Sequence, residues 1–449
     1  MRRLHIPGNV QTTEFALMAA QANSSLPEAS YPVLILKMSP TPVHHGALAV
    51  ARTLGRRGVR VYAVVEDGFT PLAVSRYLIK AFVWDRRPAD ADSFVKAMSL
   101  IADAIGRPAI VIPMDDLSAV TLAANASTLS RWFVLPPVAP QVPHQLANKA
   151  HLHALCRELG IPTVHSIVPA CFEDVRAFCN STQFPVVLKA AEQWLPVKDA
   201  FCTKVIETRE GLFDICEHYD YRSKQRLIIQ EYISGEDWIA HGYYNATKNI
   251  SLTFTGKKLC SYPTEAGSTA LGLSVDNEML RDKSEQLLKS VGYSGIIDMD
   301  WRKDVRDGQF KILDCNPRVG QNFRMFEDTA GLDVVAAEYL DLSGNGIDHA
   351  PQVDGRLFTV ESFYALALLR ESMGAGSKRG GCIHRPAHQG SELAWWASDD
   401  PVPFFVMTVR VVSRTLYRAF DLLLYTPVRS WLSHLFSHPH WGEQLSPKV

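Results

Sequence analysis

The chain has 449 residues, 47% of them hydrophobic, which supports two or three domains with large buried cores and excludes a single small module. Its 46 Lys plus Arg against 47 Asp plus Glu leave a net charge of −1, so no global field draws it to nucleic acid or to an anionic membrane. Eight cysteines, none in a C-x-x-C pair, argue against a zinc ribbon or a disulfide framework and for reduced, structural thiols in a cytoplasmic protein.

Residues up to about Ser30 read as a loose arm without an apolar core of signal-peptide length. Val33 to Leu36 then has the pattern of a buried parallel strand, Gly46 to Arg57 that of a helix stopped by Gly58, and Val59 to Val65 that of a second strand, which makes a βαβ unit. Ile110 to Ile112 is predicted as another strand, and its end carries Asp115 and Asp116 where open α/β sheets hold ligands. The turn after the first strand lacks G-x-G-x-x-G, which disfavours a nicotinamide-binding Rossmann domain.

Prolines 136, 137, 140 and 143 mark a boundary near Pro140. The predicted organisation is an arm (1–30), a parallel α/β domain (31–140), a second α/β domain (141–345) and a C-terminal extension (346–449). The second domain opens with a helix from about His151 to Leu159, capped by Gly160. Strands are predicted at Pro185 to Lys189, Leu227 to Ile233, Trp238 to Tyr244 and Ile296 to Trp301. In the extension, Arg410, Arg414 and Arg418 are four apart, which predicts an amphipathic helix packed on the body by its apolar face with its arginines in solvent; peripheral membrane contact is the alternative. No stretch is long and apolar enough to span a bilayer. The histidines 434, 438 and 440 resemble a metal cluster only weakly, and His44 and His45 precede the first helix where an anion could bind.

Ile296 to Trp301 and Phe310 to Asn316 read as an antiparallel hairpin. Side chains alternate along a strand, so Asp298 and Asp300 share one face, as do Asp314 and Asn316. These hard oxygen donors suit magnesium, with nucleotide phosphates completing its shell; Asp300, Asp314 and Asn316 are the predicted ligands, and Asp298 is set at the rim. Asp300 opposes Asp314 only if paired residue numbers sum to an even total. A three-residue loop of Arg306, Asp307 and Gly308 satisfies that condition, whereas a two-residue Asp307-Gly308 turn breaks it. Pro317 stops any helix and directs Arg318 outward toward phosphate oxygens.

Asp314-Cys315-Asn316-Pro317-Arg318 resembles the [DE]-x-N-P-R signature of the ATP-grasp superfamily. Asn148-Lys149, Gly160-Ile161-Pro162-Thr163, Phe184 to Lys189 and Ile229 to Asp237 follow in that family's order, covering roughly Lys149 to Gly320. Thr255 to Leu259 and Gly267-Ser268-Thr269 resemble the carbamoyl-phosphate-synthetase-like and D-aspartate-ligase-like branches. The resemblance implies an α+β ATP-grasp fold behind the N-terminal α/β domain. It implies ATP and magnesium, or manganese in its place, as cofactors. Lys149 and Lys189 would contact ATP, the backbone of Gln230, Glu231, Tyr232 and Ile233 would hold adenine, and Glu236 would reach the ribose. Lys258 would contact phosphate or acyl-phosphate oxygens. The implied reaction joins a small-molecule carboxylate to an amine, amino acids among them, through an acyl phosphate; a homodimer is compatible with it, and no nucleic acid is involved. A carboxylate kinase or carbamoyl-phosphate-type activity and a non-catalytic nucleotide-binding regulator are the rival readings. One departure is the segment Ala190 to Lys198, which lacks the glycines usual in the family's lid; Lys198 or Lys204 would substitute there.

Overall fold

A computed structural model of the protein describes residues 31–84, 88, 90–192, 203–223, 226–263, 267–372 and 390–420. The predicted arm, the lid from Gln193 to Lys198 and the histidines near the C-terminus lie outside the described residues.

The chain begins with β1 (Val33–Leu36), α1 (His45–Gly55), β2 (Val61–Val65), β3 (Leu78–Val83), α2 (Ala91–Ile105), β4 (Ala109–Pro113), α3 (Asp116–Ala124) and β5 (Phe133–Val134). These strands form a parallel sheet in the order β3-β2-β1-β4-β5. All four residues of β1 are buried, which is why the strand reads as an unbroken apolar run. Helix α2 was not predicted; Phe94, Met98, Ile101 and Ile105 recur at helical spacing on its buried face, behind an Asp90–Ser93 capping box. Every residue of α1 from His45 to Leu54 is buried, because it is packed between this sheet and the rest of the molecule. Gly58, with φ of +79°, ends that segment as expected.

Next come α4 (Gln141–Ala147), α5 (Lys149–Glu158), β6 (Ser166–Ile167), α6 (Phe172–Ser181), β7 (Val186–Ala190), β8 (Lys204–Ile206), α7 (Arg209–Cys216) and β9 (Leu227–Glu231). Helix α5 starts two residues earlier than predicted, since the Asn148 side chain accepts the amides of Ala150 and His151 at 3.0 and 3.1 Å. The four strands make an antiparallel sheet in the order β6-β9-β7-β8.

The remainder comprises β10 (Gly235–Asn245), β11 (Ile250–Tyr262), β12 (Ser268–Ser274), α8 (Glu278–Ser290), β13 (Ser294–Asp304), β14 (Phe310–Asn316), α9 (Val334–Leu342), β15 (Arg356–Thr359), α10 (Glu361–Ser372), β16 (Gly390–Leu393) and α11 (Val402–Phe420). Its strands form a seven-stranded sheet in the order β14-β13-β10-β11-β12-β15-β16. Trp301 is fully buried beneath it in one cluster with Trp238 and Phe310, whose rings meet edge to face at 5.4 Å. Burial of such aromatic side chains contributes about 2 to 3 kcal/mol each.

Two expectations are corrected here. Helix α11 packs by Val406 and Met407, but Arg410 turns to the body, where it bonds Asp67 Oδ1 at 2.5 Å and the Phe69 carbonyl at 2.7 Å. Phe405, Val409, Val412 and Leu416 are exposed. The arginine finds a carboxylate partner on the body, so the arginines are not uniformly the solvent face. Among the cysteines, residues 156, 171, 179, 216 and 315 are free thiols as expected, whereas Cys260 is disulfide-bonded.

Candidate active site

A cavity of about 360 Å³ opens where the four-stranded sheet faces the seven-stranded one, with the carboxyl edge of the first sheet closing one end. Strand alternation decides what lines it. Along β10 and β13, Asp237 pairs with Arg302, Ile239 with Asp300 and His241 with Asp298, and these pairs share the cavity face. Lys257 pairs with Trp238, which puts it on the far face and Lys258 toward the cavity.

Asp300 lies opposite Asp314 and Asp298 opposite Asn316, as the sequence required. The register is reached differently from the expected three-residue loop. Trp301 pairs with Ile312 and Lys303 with Phe310, odd sums that place four residues, Val305 to Gly308, in the loop. A bulge at Leu313 then shifts the ladder by one residue and restores the even sum beyond it. Gly308 does hold the left-handed position, with φ of +70°.

Each acid has a cationic neighbour. Lys258 Nζ is 2.6 Å from Asp300 Oδ1. Lys149 Nζ bridges both oxygens of Asp314 at 2.8 and 2.7 Å and is itself buried. Burial opposes ionisation of Asp314, yet Lys149 and Lys189 hold its carboxyl below the ordinary range. Arg318 Nη1 sits 2.5 Å from Asp298 Oδ2, and His241 Nε2 lies 2.8 Å from Asp298 Oδ1 on the other side. Burial alone would push the Asp298 carboxyl up; His241 and Arg318 hold it well below the carboxylate range. Asp298 is therefore at the centre of this wall, not at its rim. Backbone approaches it closely: a Cβ at Gly320 would stand 2.8 Å from Asp298 Cγ and nearer still to the His241 ring, so only glycine fits.

On the opposite wall, the Lys189 ammonium has no hydrogen-bond or ion-pair partner among the described residues. Burial, reinforced by the charge of Lys149, lowers it to about 8. Gln230, Glu231, Tyr232 and Ile233 line the cavity. The Gln230 side chain is buried against His153, at 2.6 Å, and the Glu231 carboxylate is held by the His165 amide at 2.9 Å and by Arg306 at 2.8 Å. Their side chains are thus committed to the protein.

Glu236 does not line the cavity. It lies on the far face of β10, exposed and 3.0 Å from Lys257 Nζ, while Asp237, 2.6 Å from Arg302 Nε, faces inward. Sequence reasoning missed Asp237 and Arg302 as wall residues and His241 behind Asp298; pairing of β10 with β13 puts all three in phase with Asp300. Asp116, at the end of β4, does reach the cavity.

A D-aspartate ligase from Enterococcus faecium (strain Aus0004) is 26% identical to this chain over 230 residues, 47% of this chain and 54% of the relative. The chain thus spans about half the length of that curated relative. No family model matches it. N5-carboxyaminoimidazole synthetase from Staphylococcus aureus, solved with ADP, superposes with a TM-score of 0.54 at 10% identity, covering 74% of this chain and 82% of that one. The chain has the ATP-grasp fold. The biotin carboxylase domain of Hydrogenobacter thermophilus 2-oxoglutarate carboxylase, solved with MgADP and bicarbonate, is a second ATP-grasp likeness, with a TM-score of 0.53 at 14% identity over 72% of both chains. Among the described residues no helix is long and apolar enough to cross a membrane.

Proposed function

We propose that this chain is an ATP-dependent carboxylate–amine ligase that forms an acyl phosphate and releases ADP and phosphate. The observation that carries the reading is the unpaired Lys189 ammonium in a cavity whose other wall bears Asp300, Asp314, Asn316, Lys258 and Arg318. A half-buried cation without a partner calls for an anion, and paired carboxylates call for a metal held jointly with it.

The donors fit magnesium. Among the described residues no three His, Cys, Asp or Glu side chains converge on one point. Two carboxylates and a carboxamide suit a hard ion that takes its remaining ligands from phosphate oxygens and water. Held by Asp300, Asp314 and Asn316, it would neutralise charge on the transferred phosphoryl group. Lys149 keeps Asp314 ionised, and Lys258 orients Asp300. Lys189 and Arg318 bind phosphate oxygens from opposite walls, which favours the transition state where charge spreads over them. The chain from Gln230 to Ile233 supplies an edge for the adenine, and the ribose is assigned to Asp237 in place of Glu236. Closure over the cavity would keep water from the acyl phosphate.

An amino-acid carboxylate is the proposed acid, and D-aspartate, from the name of the E. faecium relative, is the first to screen. The test is ADP formation across carboxylates and amines, with the nucleotide product separated by chromatography and the acyl phosphate trapped by hydroxylamine. Dependence on carboxylate and amine with ADP as product supports the reading. AMP and pyrophosphate as products refute it, and ADP release that needs no amine makes the chain a carboxylate kinase.

A further inference from the structure

The cavity holds one acid that the phosphoryl-transfer machinery leaves unused. Asp116 is the first residue of α3 and comes from the parallel sheet, whereas the groups assigned to nucleotide and metal come from the two antiparallel sheets. Its neighbour Asp115 is fully committed as the helix cap: one oxygen accepts the amides of Met38 and Ser39 at 2.8 and 2.9 Å, the other the amide and hydroxyl of Ser118 at 2.8 and 2.9 Å. Asp116 has no such role. Its Oδ1 is buried without a hydrogen-bond partner, and the nearest cation, Arg318 Nε, is 3.6 Å away, beyond hydrogen-bond length. That guanidinium already serves Asp298.

Asp116 lines the cavity, half-buried, and neither of its oxygens accepts a hydrogen bond from the described residues; such a carboxylate is costly in a cavity wall, and a ligand donating N–H to its accessible oxygen recovers part of that cost. Phosphate and the carboxylate substrate are anions, which Asp116 repels. Of the three groups that meet at the reacting acyl carbon, the phosphate, the carboxylate and the amine, only the amine brings a donor. Resting on the ligase reading above, we propose that Asp116 is the receptor for the amine nucleophile, accepting a hydrogen bond from its nitrogen and then its proton. The amine lone pair forms the C–N bond to the acyl carbon, the C–O bond to phosphate breaks with its electron pair leaving on phosphate, and the ammonium proton passes to the Asp116 carboxylate and on to solvent. Burial lifts this carboxyl to about 6 against the pull of Arg318, so it is ionised at neutral pH and more basic than an exposed aspartate.

Two probe nucleophiles of similar size separate this role from a structural one. Hydroxylamine is mostly neutral at neutral pH, and methylamine is almost wholly protonated. With ATP, magnesium and the carboxylate that scores in the screen above, Asp116→Asn is expected to lower capture of methylamine at least about tenfold and capture of hydroxylamine less than about threefold. Asp116→Glu should recover most of the methylamine reaction, and melting temperatures of both variants verify folding. Equal losses for both probes, or no loss for either, overturn the proposal. So does a wild-type protein that takes hydroxylamine but refuses methylamine at every pH. If the wild-type protein yields no hydroxamate with any carboxylate, the ligase reading itself fails, which is a separate outcome.

Discussion

Asp300 and Asp314 stand opposite one another because one residue, Leu313, bulges from the ladder between β13 and β14. Without the bulge, the four-residue loop would pair Asp300 with Leu313 and send Asp314 to the other face. Asp314 would also leave Lys149, which reaches it from α5. The bulge thus sets the register of the proposed metal site.

Asp314→Asn keeps the shape of the side chain and removes its charge. ADP release should fall at least about hundredfold, with weaker dependence on magnesium. Asp314→Ala leaves the buried Lys149 ammonium without its partner, so it should also destabilise the fold by about 3 kcal/mol. Assaying turnover and melting together separates the two effects. Unchanged turnover in a folded Asp314→Asn protein removes the residue from the metal site.

Asp298 joins Arg318 to His241, so its loss should be severe. Asp298→Ala frees the Arg318 guanidinium from its charge-assisted partner and leaves His241 facing a void. Turnover should fall at least about tenfold, with a raised KM for ATP. Kinetics within threefold of wild type would show that Arg318 needs no such anchor.

The contrast between Asp298 and Asp300 shows what the sequence made legible. Spacing of two put both acids on one face, and D-x-N-P-R placed the partner strand, so the hairpin and its four donors were readable. Which acid lies at the centre depended on His241, 57 positions away along the chain, and on the fold of Arg318 back toward β13. Local pattern carries no such contact. Glu236 was assigned inward for a related reason: one residue of phase separates it from Asp237, and phase is set by pairing with β13 and not by the residues of β10. The long strands β11 and β12 were read only as motif fragments, since glycine and lysine interrupt their apolar alternation.

Lys189 makes nucleotide affinity depend on pH. Its ammonium titrates at about 8 in the free protein because burial and Lys149 disfavour the charge. A bound phosphate favours the charge and raises that value. Below pH 8 the lysine is already protonated and affinity should be nearly constant; above it, binding must take up a proton and affinity should fall by up to about tenfold per unit. Calorimetry of ADP binding in buffers of differing ionisation enthalpy reads the uptake directly. Lys189→Met should weaken binding and abolish the slope. Affinity that stays flat from about pH 7 to 9.5 contradicts the assignment.

Glu338, buried in α9, has a carboxyl pushed up to about 8 by burial and then by Asp341, and its Oε2 lacks a hydrogen-bond partner. An unfolded glutamate titrates near 4.5. Between those values the folded state holds a proton that the unfolded state has released, so stability contributed by this group is lost as pH rises from about 4.5 to about 8. Glu338→Gln removes the linkage. The variant should melt several degrees above wild type at about pH 8 and gain much less at about pH 5. A gain independent of pH would mean that packing, not ionisation, governs the site.

Helix α11 offers a test of which of its faces is structural. Val406 and Met407 are buried against the body, while Val412 and Leu416 are exposed among the described residues. Met407→Glu would bury a carboxylate in an apolar contact, at a cost of several kcal/mol. Val412→Glu and Leu416→Glu expose charge to water and should change stability by less than about 0.5 kcal/mol. Arg410→Ala removes the contacts to Asp67 and to the Phe69 carbonyl, and because these are partly exposed the loss should be about 1 kcal/mol. Urea melts of the four variants rank these effects. If Leu416→Glu destabilises the protein as much as Met407→Glu does, the outer stripe packs against something, and the distal half of the helix is not free in solution.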